Sequence, residues 1–143
     1  MLKKIISTIT LVSILSFLFA TCGTQEAPVK RIERICSIKL PKEMEVEYDY
    51  YQQAFHGDYT SFTVFKLEVE PTEFLEDNSF SEGIKNITYD RFDLWFPKYD
   101  VPKEYHLDFG DNYLVAGFVG GNPYAIAFYF PDTLKLIFYM HQG

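Results

Sequence analysis

The sequence predicts an α+β domain in which one helix covers an antiparallel sheet. Three observations support this fold class. Four aromatic and β-branched runs follow one another near the C-terminus with short turns between them. Earlier in the chain, residues 44–50 alternate apolar and acidic side chains and a second long run follows at 59–69, and the stretch between this pair and the C-terminal runs changes to a helical period. Short loops join antiparallel neighbours, so a four-stranded C-terminal meander is expected.

The N-terminal part of the domain is predicted to contain one strand and a hairpin. The first strand is expected over residues 35–40. Residues 44–50 alternate apolar and acidic side chains, which is typical of a half-buried strand. The turn at 55–58 includes Gly57, which tolerates positive φ. Residues 59–69 are therefore expected to complete a hairpin.

The middle of the chain is predicted to be helical. Residues 71–76 are expected to form one helical turn, and Ser79 with Glu82 matches a capping box. Apolar residues then recur at helical spacing until Pro97, so a helix is expected near 80–94. The strands of the C-terminal meander are expected at 105–109, 113–119, 124–130 and 134–140.

The first 23 residues have the pattern of an export signal. Lys3 and Lys4 make a positive start, an apolar run of about 15 residues follows, and small residues surround Cys22. The run contains several hydroxyl side chains and is shorter than the roughly 20 apolar residues of a transmembrane helix. Two alternatives remain open, an N-terminal anchor that is never cut and ordinary signal-peptidase cleavage near Thr21 and Gly23.

Phe19-Ala20-Thr21-Cys22-Gly23 resembles the cleavage motif of bacterial lipoproteins, in the relaxed form of Bacteroides-type bacteria. The resemblance implies that residues 1–21 are a removed signal peptide and that Cys22 is acylated. Several acyl chains together anchor a protein firmly, so the protein is expected to be exported and held on a membrane. Cys22 is not followed by an acidic run of the kind that resembles the surface-export signal of Bacteroides-type lipoproteins, so the resemblance favours the periplasmic side over the cell surface.

The remainder of the chain divides into a tether and one domain. Residues 22–31 are small and polar, which predicts a flexible tether, and residues 32–143 are expected to form a single α+β domain. This body resembles small uncharacterised bacterial envelope domains at the His56-Gly57-Asp58 turn and in the terminal hairpin over 122–139. That likeness implies no activity.

Composition restricts the partners of the mature chain. Removal of residues 1–21 takes away two lysines and no acids, and leaves 11 basic and 20 acidic residues, a net charge of −9. Nucleic-acid binders concentrate Lys and Arg, and anionic lipid surfaces attract basic segments. We therefore expect no nucleic-acid partner, and membrane contact through the acyl chains on Cys22 alone. The oligomeric state is not predicted.

No catalytic, metal or cofactor site is predicted. The histidines His56, His106 and His141 are scattered without the paired spacing of a zinc site. Glu73 and Glu76 are a chance pair in an acidic chain rather than a glycosidase dyad. With Cys22 acylated, Cys36 has no disulfide partner and is expected to be a small buried apolar residue.

An acidic ladder is the one feature of the body that suggests a contact. It consists of Glu43, Glu45, Glu47 and Asp49. Charges on the open face or edge of a sheet block aggregation, and this interpretation is favoured. The alternative is a face that docks a basic protein partner, with nearby tyrosines as anchors.

These observations predict a non-enzymatic, lipid-anchored binding or structural accessory domain of the cell envelope. Two alternatives remain. The first is an immunity-type lipoprotein that neutralises a basic secreted toxin. The second is a small hydrolase of envelope glycans, which would need a pocket containing two carboxylates and His106.

Overall fold

A computed structural model describes residues 25–84, 90–119 and 123–143. These residues form an α+β fold with one open six-stranded antiparallel sheet and few helices. The helices are α1 (Pro28–Cys36), α2 (Thr72–Asp77), α3 (Asp90–Lys98) and a 3-10 helix at Lys103–Tyr105. The strands are β1 (Met44–Gln53), β2 (Tyr59–Leu67), β3 (Ser81–Glu82), β4 (Leu114–Val119), β5 (Tyr124–Phe130) and β6 (Lys135–Gln142).

The strand order is β1-β2-β6-β5-β4-β3, and every neighbouring pair is antiparallel. The β1–β2 hairpin turns at Gly57, whose φ of 88° favours glycine. It joins the C-terminal strands through β6, where Phe62 is opposite Tyr139. The strands predicted at 44–50, 59–69, 113–119, 124–130 and 134–140 are confirmed, as is the helical turn at 71–76. Residues 120–122 of the predicted β4–β5 turn lie outside the described ranges.

Both faces of the sheet are buried, which explains the nearly continuous apolar runs of β2, β5 and β6. The α1 face, on which α1 and α2 pack, contains Ile32, Cys36, Leu40, Phe65, Leu67, Phe74, Leu75, Ala125, Ala127, Tyr129, Leu136, Phe138 and Met140. The aromatic face, on which α3 packs, contains Phe62, Val64, Phe92, Trp95, Phe96, Val101, Tyr113, Phe128, Phe130, Ile137 and Tyr139. A single helix on one face is therefore a wrong prediction.

The strand predicted at 35–40 is also wrong, because residues 28–36 form α1. Pro28 occupies the first turn, where its missing N–H costs nothing. Ile32 and Cys36, four apart, both point into the core, and this helical spacing outweighs the short alternation that follows. The fold therefore begins inside the segment predicted as a tether.

The helix predicted near 80–94 has the wrong position. Residues 81–82 form β3, residues 85–89 lie outside the described ranges, and α3 runs from Asp90 to Lys98. Ser79 has a φ of 56° and caps no helix. The N–H of Gly83 donates to the carbonyl of Tyr113 at 2.9 Å, and the Tyr113 ring occupies the space that a Cβ at Gly83 would need. Pairing with β4 therefore replaces the expected helix start.

The strand predicted at 105–109 is absent from the described sheet, so the meander has three strands rather than four. A 3-10 helix at Lys103–Tyr105 and an irregular stretch take its place. The Tyr105 ring stacks on Tyr48 at 4.8 Å between centroids, and Phe109 contacts Phe128 at 5.4 Å. The alternating aromatic residues thus cover the aromatic face without joining the sheet.

Candidate binding groove

An open groove lies at one end of the sheet, beside β1 and β2. Its volume is about 720 Å³, within the roughly 300–1,000 Å³ of ligand pockets. Two stretches form its walls, residues 37–43 between α1 and β1, and residues 69–78, which contain α2. Leu40, Leu67 and Phe74 are buried and make an apolar floor.

Local hydrogen bonds hold both walls in place. Ser37 adopts a left-handed conformation with φ 55° at the end of α1 and turns the chain. The N–H of Leu40 then donates to Oε1 of Glu33 at 3.0 Å. In the other wall, the side-chain amide of Asn78 donates to the carbonyl of Phe74 at 2.8 Å and closes α2. These two hydrogen bonds tie each wall to the helix beside it.

The lining of the groove is strongly charged. Its exposed charged residues are Lys39, Lys42, Glu43, Glu70, Glu73 and Asp77. None of them forms an ion pair with another residue in the described part of the chain. Two lysines against four acids leave a net charge of −2, which favours a cationic ligand. Burial raises the pKa of the Tyr129 hydroxyl, and the Glu70 carboxylate raises it further.

An apolar side chain stands exposed between these charges. Val69 follows the end of β2 and is 54 % exposed. Ile38, from the opposite wall, is half-buried. Above the buried floor, these two side chains offer an apolar strip to a ligand.

The acidic ladder predicted on β1 does not form one face. Its members are Glu43, Glu45, Glu47 and Asp49. A β-bulge between Val46 and Tyr48 inserts one residue into the strand. As a result Met44 packs on the α1 face while Tyr48 packs on the aromatic face. A one-residue shift moves the following side chains to the opposite side, so the predicted grouping of these acids on one side is wrong.

Asp49 lies beneath α1, where it pairs with Arg31. Arg31 is 1 % exposed, and its guanidinium donates to Oδ1 of Asp49 and, at 3.2 Å, to Oγ of Ser61. The same group donates to the carbonyl of Glu26 at 3.2 Å and lies 4.5 Å from the ring centroid of Tyr51. This network fixes α1 on the sheet, so Asp49 has a structural role.

The other ladder residues have separate surroundings. Glu47 forms an ion pair with Lys135 at 3.2 Å. Glu45 is exposed and forms no ion pair with any described residue. Only Glu43 joins the groove. The sequence-based prediction dismisses Glu73 as one of a chance pair and does not include Glu70 or Asp77, although five acids within residues 68–77 are a visible signal.

A second recess, about 110 Å³ in volume, contains acidic residues and a histidine. Its polar lining includes Glu104, His106, Asp108 and Asp111. The His106 ring stacks on Phe96 at 4.4 Å, and its Nε2 lies 2.9 Å from the carbonyl oxygen of Val101. The Asp108 carboxylate accepts from the N–H of Gly110 at 2.9 Å, as expected for a turn residue. His106 and Asp108 are therefore engaged in local structure.

The remaining chemically reactive residues are dispersed. Within the described ranges, no group of three or more His, Cys, Asp or Glu side chains is arranged to hold a metal ion. His56 is exposed at the β1–β2 turn, and Nδ1 of His141 lies 3.0 Å from Oγ1 of Thr60. Cys36 is buried as predicted, and burial raises the pKa of its thiol to about 12. Cys22 and the signal at 1–21 lie outside the described residues.

None of the helices in the described ranges is long and apolar enough to cross a membrane. No protein-family model, curated protein or solved structure matches the chain. The groove and the sequence of the first 23 residues are therefore the features of the chain that bear on function.

Proposed function

We propose that this chain is an exported cell-envelope lipoprotein, held by acyl chains on Cys22, whose domain is a non-enzymatic binding accessory. The groove supports the binding role. It is open, large enough for a ligand, apolar at its floor and unpaired in its charges. The lipoprotein signal supports the anchor and the periplasmic location, and no cofactor is needed for this role.

The fold begins close to the proposed anchor. The carboxylate of Glu26 pairs with Arg34 at 2.8 Å, and α1 starts at Pro28. Four peptide steps separate Cys22 from Glu26, and a chain of that length spans at most about 14 Å when fully extended. Acylation of Cys22 would hold the domain close to the bilayer surface.

The groove lies away from this attachment point. Arg31, which holds Glu26, contacts Ser61, whereas the groove floor includes Leu67. Ser61 and Leu67 are six positions apart in β2, a distance of about 20 Å along the strand. A partner dissolved in the periplasm therefore has access to the groove on an anchored domain.

The anchor is tested by labelling cells with a radioactive fatty acid. We expect label on the wild-type chain and on Cys36→Ser, and none on Cys22→Ser. Cys36→Ser is the matched control, because it removes the other thiol of the chain. An unlabelled wild type, or label that persists in Cys22→Ser, would overturn the lipoprotein assignment.

The binding role is tested by placing a photo-crosslinking amino acid in native envelopes. One variant carries it at Val69 in the groove, and the control carries it at Asp132, which is exposed in the β5–β6 turn. We expect a discrete adduct from the Val69 position alone. Identical adducts from both positions, or none from Val69, would argue against a binding groove.

An immunity-type lipoprotein is the second candidate. The net charge of −2 in the groove and of −9 on the mature chain favour a basic partner, because opposite charge steers encounters. A neighbouring gene for a basic secreted protein would support it. The test is protection of sensitive cells against that protein, which the wild type should give and the charge-reversed Glu70→Lys/Glu73→Lys chain should not.

The glycan hydrolase that was predicted with His106 would use the second recess, because that recess contains His106. Its volume of about 110 Å³ is below that of most ligand sites, and His106 is held by Phe96 and Val101. We therefore favour binding over hydrolysis. Sugar release from purified envelope glycan by the wild type, lost in Asp108→Asn, would reverse this preference.

A further inference from the structure

We propose that the groove binds a short extended segment of a cationic polypeptide in which basic and apolar side chains alternate. The proposal rests on the binding role above and names its partner class. Three features support it, namely the acids of the 69–78 wall, the exposed Val69 and the apolar floor.

The acids of the 69–78 wall are placed to meet basic side chains. Glu73 and Asp77 are four residues apart on α2 and therefore share one face of the helix. Glu70 precedes the helix and lines the same groove. A lysine or arginine of a partner would give these carboxylates the counter-charge that no described residue supplies.

The lysines of the opposite wall set the direction in which such a segment lies. Lys39 and Lys42 would repel basic side chains, so these must point toward α2. The same lysines can receive backbone carbonyls or an acidic side chain of the partner. The two walls of the groove therefore differ in charge, which favours a ligand with basic side chains along one edge.

Positive charge alone does not make a ligand that covers the apolar strip. A simple polyamine would neutralise Glu70 and Glu73 but leave Val69, at 54 % exposure, in water. Side chains of an extended segment alternate in direction, so a basic residue beside α2 and an apolar residue over the apolar strip and floor fit neighbouring positions. Removal of this apolar surface from water adds affinity that salt does not screen.

The test is calorimetric titration of the full chain carrying Cys22→Ser, in mild detergent. The probes are capped peptides of sequence Lys-Leu-Lys-Leu-Lys, Lys-Ser-Lys-Ser-Lys and Glu-Leu-Glu-Leu-Glu, together with spermidine. We expect the Lys/Leu peptide to bind at least about tenfold more tightly than the other three. Equal binding of spermidine or of the Lys/Ser peptide would show attraction by charge alone and would overturn the proposal.

Two charge-matched variants locate the site. Glu70→Lys/Glu73→Lys should weaken binding of the Lys/Leu peptide by about tenfold or more. Glu104→Lys/Asp132→Lys makes the same change in net charge at exposed positions outside the groove and should change the affinity less than about twofold. Equal weakening by both variants would contradict a local site. Glu70→Gln/Glu73→Gln repeats the test without reversed charge if the lysine variant unfolds.

A third variant separates the apolar strip from the charges. Val69→Ser should weaken binding of the Lys/Leu peptide and leave the weaker Lys/Ser binding unchanged. Failure of all peptides to bind would overturn this proposal but leave fatty-acid labelling of Cys22 and crosslinking from Val69 unaffected. Failure of fatty-acid labelling or of crosslinking would instead contradict the proposed function.

Discussion

The two faces of the sheet are held by different kinds of contact. On the aromatic face, eight of eleven buried residues are aromatic, so ring packing dominates. On the α1 face only four of thirteen are aromatic, and a buried arginine lies beside them. Ring area stabilises without demanding a particular partner, whereas a buried charge is stable only beside its counter-charge. The α1 face therefore specifies where a helix sits, and the aromatic face supplies contact area.

The largest expected effect tests the aromatic face. Trp95 contacts the rings of Phe62, Tyr50 and Tyr139 at centroid distances of 5.3, 5.4 and 5.7 Å. Trp95→Ala should lower the free energy of unfolding by about 4 kcal/mol, because it leaves a cavity among rings. Urea denaturation followed by circular dichroism measures this loss.

The matched control for this prediction is Trp95→Phe. The indole N–H of Trp95 is buried and finds no acceptor among the described residues. Trp95→Phe keeps a ring and removes that donor, so it should cost less than half as much as alanine. Equal losses in the two variants would show that ring packing is not what holds this face.

The second effect tests the α1 face. Asp49→Ala leaves the Arg31 guanidinium buried without its carboxylate and should cost about 3 kcal/mol. The control is the double variant Arg31→Met/Asp49→Leu, which removes both charges and should recover most of the loss. Both are measured by urea denaturation. A double variant no more stable than Asp49→Ala would mean that the pair itself, and not the orphaned charge, carries the stability.

The strands were predictable from sequence because their signal is local. The apolar runs of β2, β5 and β6 remain recognisable whichever face each residue occupies, since both faces are buried. Turn residues such as Gly57 marked the ends of strands. These elements came from composition and period, which need no knowledge of the tertiary fold.

The helices were harder because tertiary contacts decided them. In the sequence Arg31 has the character of a charged tether residue, and its burial depends on distant partners such as the Asp49 carboxylate, eighteen positions later. Gly83 lies where the sequence predicts the start of a helix, yet its N–H donates to the carbonyl of Tyr113 and the chain pairs with β4 instead. Local period cannot reveal partners so distant in sequence.

The site was least predictable, because the groove joins two distant segments. The N–H of Glu68 donates to the carbonyl of Glu43 at 3.1 Å, and this hairpin contact brings residues 37–43 and 69–78 together. The sequence identified Glu43 as part of a ladder on one strand. The bulge places the ladder residues on different sides of the sheet. The acids that line the groove together with Glu43 come mainly from α2.

A smaller effect concerns Cys36, on the α1 face. Burial raises the pKa of its thiol to about 12, whereas an unfolded cysteine titrates near 8.5. The stability from this difference is complete below pH 8.5 and is lost as the pH rises toward 12. Between pH 8 and 10 the wild type should lose about 2 kcal/mol more than Cys36→Ala. Denaturation at both pH values checks this, and parallel losses in the two chains would contradict it.

The smallest effect compares a surface ion pair with the buried one. Glu47 and Lys135, 26 % and 24 % exposed, lie 3.2 Å apart beside the aromatic face. Both side chains are partly exposed, so a double-mutant cycle with Glu47→Gln and Lys135→Met should give a coupling of about 0.5 kcal/mol that falls in 1 M salt. A coupling above about 2 kcal/mol would mean that this pair is as strong as the buried pair of Arg31 and Asp49. The difference in exposure would then no longer explain the strengths of the two ion pairs. The β-bulge that contains Glu47 would itself be a stabilising feature of β1.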